Sequence, residues 1–242
     1  MNNSHTHEKR SGRFLGNLHP HSDLQHGHDE PVHGKDCDEW MKEWIKWVLR
    51  NNYDNSPLVG QETNPFTRTY GPYYPANGKE EEGVRFLSSS PYGSGYGYGF
   101  ELVKRGSWDI FAAPYIIFNA DLEYPSLDKK ELFELARKQV EAVSKCVIVL
   151  DGHSMECCRV TIEEPFEVDR IPDMNVMGID REELVHSDHK VNVVCDGFAL
   201  FLNPLLPGLH TLRFEAYSPT YNSSVDMLLN VRGPKQRHTP HK

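Results

Sequence analysis

The chain has 242 residues, 38% of them hydrophobic, and 35 acidic against 26 basic side chains give a formal charge of −9. That length suits one large domain or two small ones, and the acidic balance excludes a protein that grips phosphate backbones with clustered Lys and Arg. No apolar run approaches the ~20 residues of a membrane helix, and the N-terminus lacks the apolar centre of a secretory signal, so a cytoplasmic protein without a membrane span is expected.

Mean hydropathy is −0.60, but the polarity is uneven. Residues 1–36 hold few apolar side chains and no periodicity, a composition that cannot offset its own ordering entropy. A flexible His-rich tail is expected there. Its densest part, "HPHSDLQHGHDEPVHG", packs five histidines into the sixteen positions 19–34. His19 with His21 and His26 with His28 are spaced i, i+2, with Asp23 and Asp29 beside them. Mobile imidazoles of this kind chelate divalent ions as an affinity tag does. A structural zinc site needs four ligands held in a tetrahedron, and this irregular tract supplies nothing to hold them.

The first regular element is "CDEWMKEWIKWVLRNN". Trp40, Trp44 and Trp47 recur at helical spacing with Met41, Ile45 and Val48, which predicts a helix over 40–50 capped by Asp36 or Asp38 and docked through its tryptophans. From 51 to 107 the chain is rich in Pro, Gly, Asn and Tyr, and only "GVRFL" and "GFELV" read as short strands. Between them "SSSPYGSGYGYG" reads as a loop in which Tyr92, Tyr96 and Tyr98 form a ligand-binding surface. A phosphate-cradling loop would need a following helix N-terminus and a Lys–Ser/Thr pair, and neither is present.

"SWDIFAAPYIIFNA" reads as a buried strand, with Pro114 implying an edge position or a bulge. Asp128 and Glu131 form a capping box opening a helix over 128–145, whose inner face carries Leu132, Leu135, Ala136, Gln139, Val140 and Val143. "VIVLDGHSMECCRVTI" is strand, turn, strand, with Asp151-Gly152 at the turn. The remainder reads as strands broken by the loop "PDMNVMGIDREELVHSDH". In "HTLRFEA" alternation sets Leu212 and Phe214 against Thr211 and Arg213. Strands with turns every ten or so residues point to a two-sheet sandwich. The expected fold is therefore α+β: mostly an antiparallel β-sandwich over 37–233 with two packed helices, behind the tail and before a frayed basic end at 234–242.

The five cysteines are Cys37, Cys146, Cys157, Cys158 and Cys195. An odd count without regular spacing is a poor disulfide framework, and reduced thiols are expected. Adjacent Cys157 and Cys158 point to opposite faces of a strand and share no partner.

Taken in order, Trp44 and Trp47, "VRFL" at 84–87, "IFAAPYIIFNADLEYP" at 110–125, "VIVLDG" at 147–152 and "DGFALFLNPLLPGLHTLRFEA" at 196–216 form a series. It resembles a family of uncharacterised prokaryotic β-sandwich-like proteins. Those proteins show a Trp-rich start, "WFLAG"-like and "FFPxxN"-like strands, a helix leading into "xxxDG", and a closing "DGxWxxLxPLxPGxHxIxF". The resemblance spans roughly residues 40 to 232. The chain departs from it at "FLSSSP", lacks a cysteine in "ELVKRGSW", and lacks the export signal of many relatives. The family has no established activity, so the resemblance implies a fold and no chemistry.

Candidate chemistry is sparse. "HSDH" offers His186, Asp188 and His189, with Asp180 or Glu182 near, as a metal-ligand set for zinc or a similar divalent ion. His153 is a conceivable base beside Cys157 or Cys158, and His210 reads as structural. No catalytic residue is assigned. The expected function is a non-catalytic binding or self-assembly protein that holds a saccharide, a peptide or a copy of itself through Tyr-rich loops or a free sheet edge. The alternatives are a metal-dependent hydrolytic enzyme centred on His186, Asp188 and His189, and a metal-binding protein acting through the tail. No nucleic-acid partner is expected.

Overall fold

The computed structural model describes residues 24–27, 30–56, 70–76, 79–88, 95–102, 107–219 and 222–231. Among the described residues, ten strands form two five-stranded sheets. The first runs β1 (Tyr70–Ala76), β2 (Lys79–Ser88), β4 (Ser107–Ala120), β8 (Val191–Leu202), β7 (Cys158–Val168). The second runs β3 (Gly95–Leu102), β10 (Asn222–Val231), β9 (Gly208–Tyr217), β5 (Lys145–Leu150), β6 (His153–Met155). Pairing is antiparallel except between β2 and β4 and between β3 and β10. The mostly-β, α+β architecture expected from the turn spacing is what the chain adopts.

Strands β4 and β8 are buried on both faces, which is why their sequences read as nearly unbroken apolar runs. Phe111 and Ala113 join the core under the first helix, whereas Ile110 and Ala112 join the core between the sheets. Beyond Pro114 the parity reverses: Ile116, Phe118 and Ala120 belong with the helix side, Tyr115 and Ile117 with the other. The cause is a register shift between Ala112 and Tyr115 in the β4–β8 ladder. An extra residue at a bulge changes which face each later side chain takes. Of the two placements Pro114 allows, the bulge is the one found, and β4 is central rather than an edge.

The first helix, α1 (Cys37–Leu49), starts at Asp36, which forms a capping box with Glu39. Trp40, Met41, Trp44, Ile45, Val48 and Leu49 are buried against Val84, Phe86, Phe111, Val160, Cys195 and Phe201 of the first sheet. Each buried side chain of this size contributes roughly 1.5–3 kcal/mol. The Trp44 indole N–H donates to the Leu87 carbonyl at 3.0 Å, which satisfies its polar edge. The tryptophans therefore dock the helix.

The second helix, α2 (Lys129–Glu141), has the expected Asp128–Glu131 capping box but ends four residues earlier than its apolar pattern suggested. Ser144 already donates to the Tyr217 carbonyl, and Lys145 opens β5. Its buried face is Leu132, Phe133, Ala136 and Val140, while Gln139 is exposed. The helix covers the part of the first sheet that the second sheet leaves open; Asn119 of β4 donates to the Leu132 carbonyl at 3.0 Å. Between the sheets lie Leu87, Ile110, Ala112, Leu200 and Leu202 on one side and Ile148, Leu150, Leu212, Phe214, Met227, Leu229 and Val231 on the other. Thr211 and Arg213 face outward, as the alternation predicted.

Asp151 (φ 50°) and Gly152 (φ 83°) make the two-residue turn between β5 and β6. Both positions need a positive φ in this turn type, which Asp-Gly supplies readily. The segment read as a plain loop after β7 contains a short helix, α3 (Arg181–His186), pinned by buried Leu184. No helix among the described residues is long and apolar enough to cross a membrane.

Candidate binding site

The largest departure from the sequence reading lies before α1. Leu24–Gly27 and Glu30–Asp36 do not form a free tail; they run along the first sheet. His26 N–H donates to the Phe201 carbonyl at 3.2 Å and Asn203 N–H to the Leu24 carbonyl at 3.0 Å, extending the sheet past the end of β8. Val32 and Lys35 exchange both backbone hydrogen bonds around His33 (φ 51°) and Gly34 (φ 78°). That tight turn buries Val32, whose carbonyl accepts from the Trp40 indole at 2.9 Å. Lys35 Nζ lies over the Trp40 ring, 4.8 Å from its centroid.

The segment is anchored by one carboxylate. Asp109, near the start of β4, is 6% exposed. Its Oδ1 lies 2.7 Å from His26 Nε2 and its Oδ2 lies 2.8 Å from His33 Nε2. An ionised carboxylate only accepts, so both imidazoles present an Nε2–H to it. Neither histidine is the mobile chelator that composition suggested. His26 also packs edge-on against Phe201 at 6.1 Å and turns its Nδ1 toward Glu30, 3.8 Å away.

Where this segment crosses the sheet it leaves a cavity of about 360 Å³. Gln25, His26, Gly27 and Glu30 form the wall from the segment. Cys37 comes from the first turn of α1, and Glu156, Cys157 and Cys158 from the crossover between β6 and β7. Leu200 and Phe201 of β8 complete the lining. Among the described residues the charged lining groups are the carboxylates Glu30 and Glu156, and no Lys or Arg lines the cavity. Gln25 spans the gap to the opposite wall: Glu156 N–H donates to Gln25 Oε1 at 3.2 Å.

Two of the thiols here, Cys37 and Cys157, resist ionisation. Contact with the Cys158 thiol, then burial, push the Cys37 thiol far up; contact with Cys146, then burial, do the same to Cys157. A catalytic cysteine needs the opposite shift.

The other expected site residues fall elsewhere. His186 ends α3 and its Nδ1 lies 2.6 Å from the Glu182 carbonyl of the same helix. His189 Nδ1 lies 2.9 Å from the Ile171 carbonyl, and Asp188 and His189 take positive φ of 57° and 55° in the turn between. Each imidazole is held by a different backbone carbonyl, and among the described residues no group of three or more His, Cys, Asp or Glu is arranged to hold a metal ion. Tyr96 and Tyr98 lie within strand β3, not in a loop; Tyr98 is in register with Met227 of β10. Tyr92, and the tail positions His19, His21 and His28, lie outside the described residues. His210 is structural as expected, between Asp151 Oδ2 at 2.6 Å and the Leu206 carbonyl at 2.8 Å.

Sequence reasoning missed Asp109, His26 and His33 as a set because they lie 83 and 76 residues apart. A carboxylate inside the apolar run "SWDIFAAPYIIF" was the one available signal, since a buried Asp must find partners.

No family model and no curated protein matches the chain. Among solved structures it is similar to the solution structure of amebosin, with 9% identity over 64% of this chain and 100% of that one and a TM-score of 0.21. A likeness that weak carries no argument.

Proposed function

We propose that this is a non-catalytic binding protein of the cytoplasm that takes a small ligand rich in hydrogen-bond donors, a sugar or an amine, in the cavity between its N-terminal segment and the first sheet. The observation that carries the reading is the lining: two carboxylates, a glutamine and an imidazole against Leu200 and Phe201, with no Lys or Arg among the described residues. Such acceptors complement hydroxyls or ammonium groups, and the volume lies within the range of small-molecule sites. The upward-shifted thiols support binding rather than nucleophilic chemistry at the same place.

Thermal shift measured against a panel of mono- and disaccharides and aliphatic diamines tests this. At least one class is expected to raise the Tm, and Glu156→Gln to abolish that rise while leaving the unliganded Tm within a few degrees. A panel without effect, or a rise unchanged in Glu156→Gln, overturns the reading.

A second reading, strand pairing with a peptide or another copy, is favoured by the four sheet edges. β1 carries Pro72 and Pro75, β6 has three residues, and β7 carries Glu163, Glu164, Pro165 and a register break. These are devices that discourage edge pairing. β3, "GYGYGFEL", has one charge and no proline in eight residues. Light scattering across a concentration series would then show dimers that Gly99→Lys converts to monomers; a monomer at every concentration removes this reading.

A further inference from the structure

Four of the five cysteines stand in two pairs, on opposite sides of the crossover that carries the chain from the second sheet to the first. Cys158, the first residue of β7, has its sulfur 3.9 Å from that of Cys37, the first residue of α1. Cys157, the residue before, turns the other way. In the β5–β6 hairpin Leu150 is opposite His153 and Ile148 opposite Met155, where the ladder ends; the same register continued two residues past that last pair would bring Cys146 beside Cys157. The neighbouring Cys146 thiol is the first cause that pushes the Cys157 thiol up. Directly opposed residues of antiparallel strands bring their Cβ atoms to about 4.5–5.5 Å, close to what a disulfide spans. Cys195 stands apart: it is in register with Ile162, whereas Cys158 is in register with Ala199. Four residues along a strand is about 13 Å.

We propose that the chain carries two oxidisable dithiol sites, Cys37–Cys158 and Cys146–Cys157, each closing to a disulfide by exchange with a low-molecular-weight disulfide, with Cys195 left as the free thiol. In each closure one cysteine thiolate attacks the small disulfide, forming a mixed disulfide and expelling one small thiolate. The paired cysteine, after losing its proton, attacks the protein sulfur and expels the second. Two protein thiols are oxidised and one small disulfide is reduced to two thiols.

Cys37, Cys157 and Cys158 line the open cavity, which gives the oxidant its route. In each pair one thiol, Cys37 or Cys157, is pushed up by its facing thiol and by burial, so exchange through it is slow at neutral pH and quickens in alkali. Once closed, Cys37–Cys158 ties α1 to the first sheet across 121 residues of sequence. Cys146–Cys157 ties β5 to the chain just beyond β6, where it leaves the second sheet. The proposal does not depend on what the cavity binds.

The test uses the full folded chain, incubated at pH 8.5 with 2-hydroxyethyl disulfide, then denatured, alkylated and weighed intact. The expected product carries one alkyl group, on Cys195, and weighs about 4 Da less than the mass of the reduced chain plus a single label, the four lost thiol hydrogens. Trypsin leaves Cys146, Cys157 and Cys158 in one peptide, 146–159, and Cys37 in another, 36–42. Variants therefore assign the bonds. Oxidised Cys157→Ser should show 36–42 linked to 146–159 with Cys146 alkylated. Oxidised Cys158→Ser should show an internal bond in 146–159 with Cys37 alkylated. The long-range closure should raise the Tm of the wild type by on the order of 10 °C. Five alkylated cysteines, a Cys157–Cys158 bond, or any bond to Cys195 overturns the proposal.

Discussion

At the turn into β6, Asp151 takes up hydrogen bonds from its surroundings: Thr211 N–H donates to its Oδ1 at 2.7 Å and His210 Nδ1 lies 2.6 Å from its Oδ2. Burial pushes this carboxyl up, but the hydrogen bonds from His210 and Thr211 outweigh it and leave it below its ordinary value of 3.8. At the far end of α1, Asp169 is held down to about 2 from 3.8 by hydrogen bonds from Arg50 and Arg170. A carboxylate whose folded pKa lies below its unfolded one binds fewer protons when folded. Its stabilisation is complete above the unfolded pKa and is lost as pH falls through the folded one. For Asp169 that window runs from pH 3.8 down to about 2. Urea midpoints of wild type, Asp151→Asn and Asp169→Asn should therefore differ near neutral pH and converge by about pH 2. A gap that persists unchanged at pH 2 would show that neither carboxylate acts through its charge.

Elements are where composition and period served best. The tryptophan stripe, the Asp128–Glu131 cap and the Asp-Gly turn each rest on neighbours within a few residues, and each was readable. What failed was set by distant parts of the chain. α2 stops at Glu141 because β5 must begin at Lys145 to pair with β9, which no local pattern shows. Tyr96 and Tyr98 sit in a strand because β10, more than a hundred residues later, supplies a parallel partner for a glycine-rich segment of weak intrinsic preference. Gly197 belongs at this scale too. It pairs with Ile116, and a Cβ there would lie 2.8 Å from both the Ile116 Cα and the Tyr115 carbonyl oxygen. Those are backbone atoms that cannot swing aside, so Gly197→Ala should cost about 1–3 kcal/mol in chemical denaturation. A change below about 0.5 kcal/mol, the usual scatter for harmless substitutions, would mean that β4 and β8 can move apart.

In the whole molecule the His-rich start divides at its middle. Residues 24–27 and 30–36 are part of the sandwich because two of their imidazoles meet one buried carboxylate and because Val32 and Trp40 lock the turn. Average polarity hid this, since the apolar contribution is only Val32 and the half-buried Leu24, and the histidines are held by hydrogen bonds to a residue far along the chain. The candidate site depends on that docking: without Gln25, His26 and Glu30 the cavity has no outer wall. Hydrogen exchange of the native full-length chain tests it directly. The amides of His26, Val32 and Lys35 donate to the Phe201, Lys35 and Val32 carbonyls, so they should exchange at least a hundredfold more slowly than in an unstructured peptide, the protection of about 2.7 kcal/mol. Exchange of all three at the unstructured rate, with the strands of the first sheet still protected, would contradict the account.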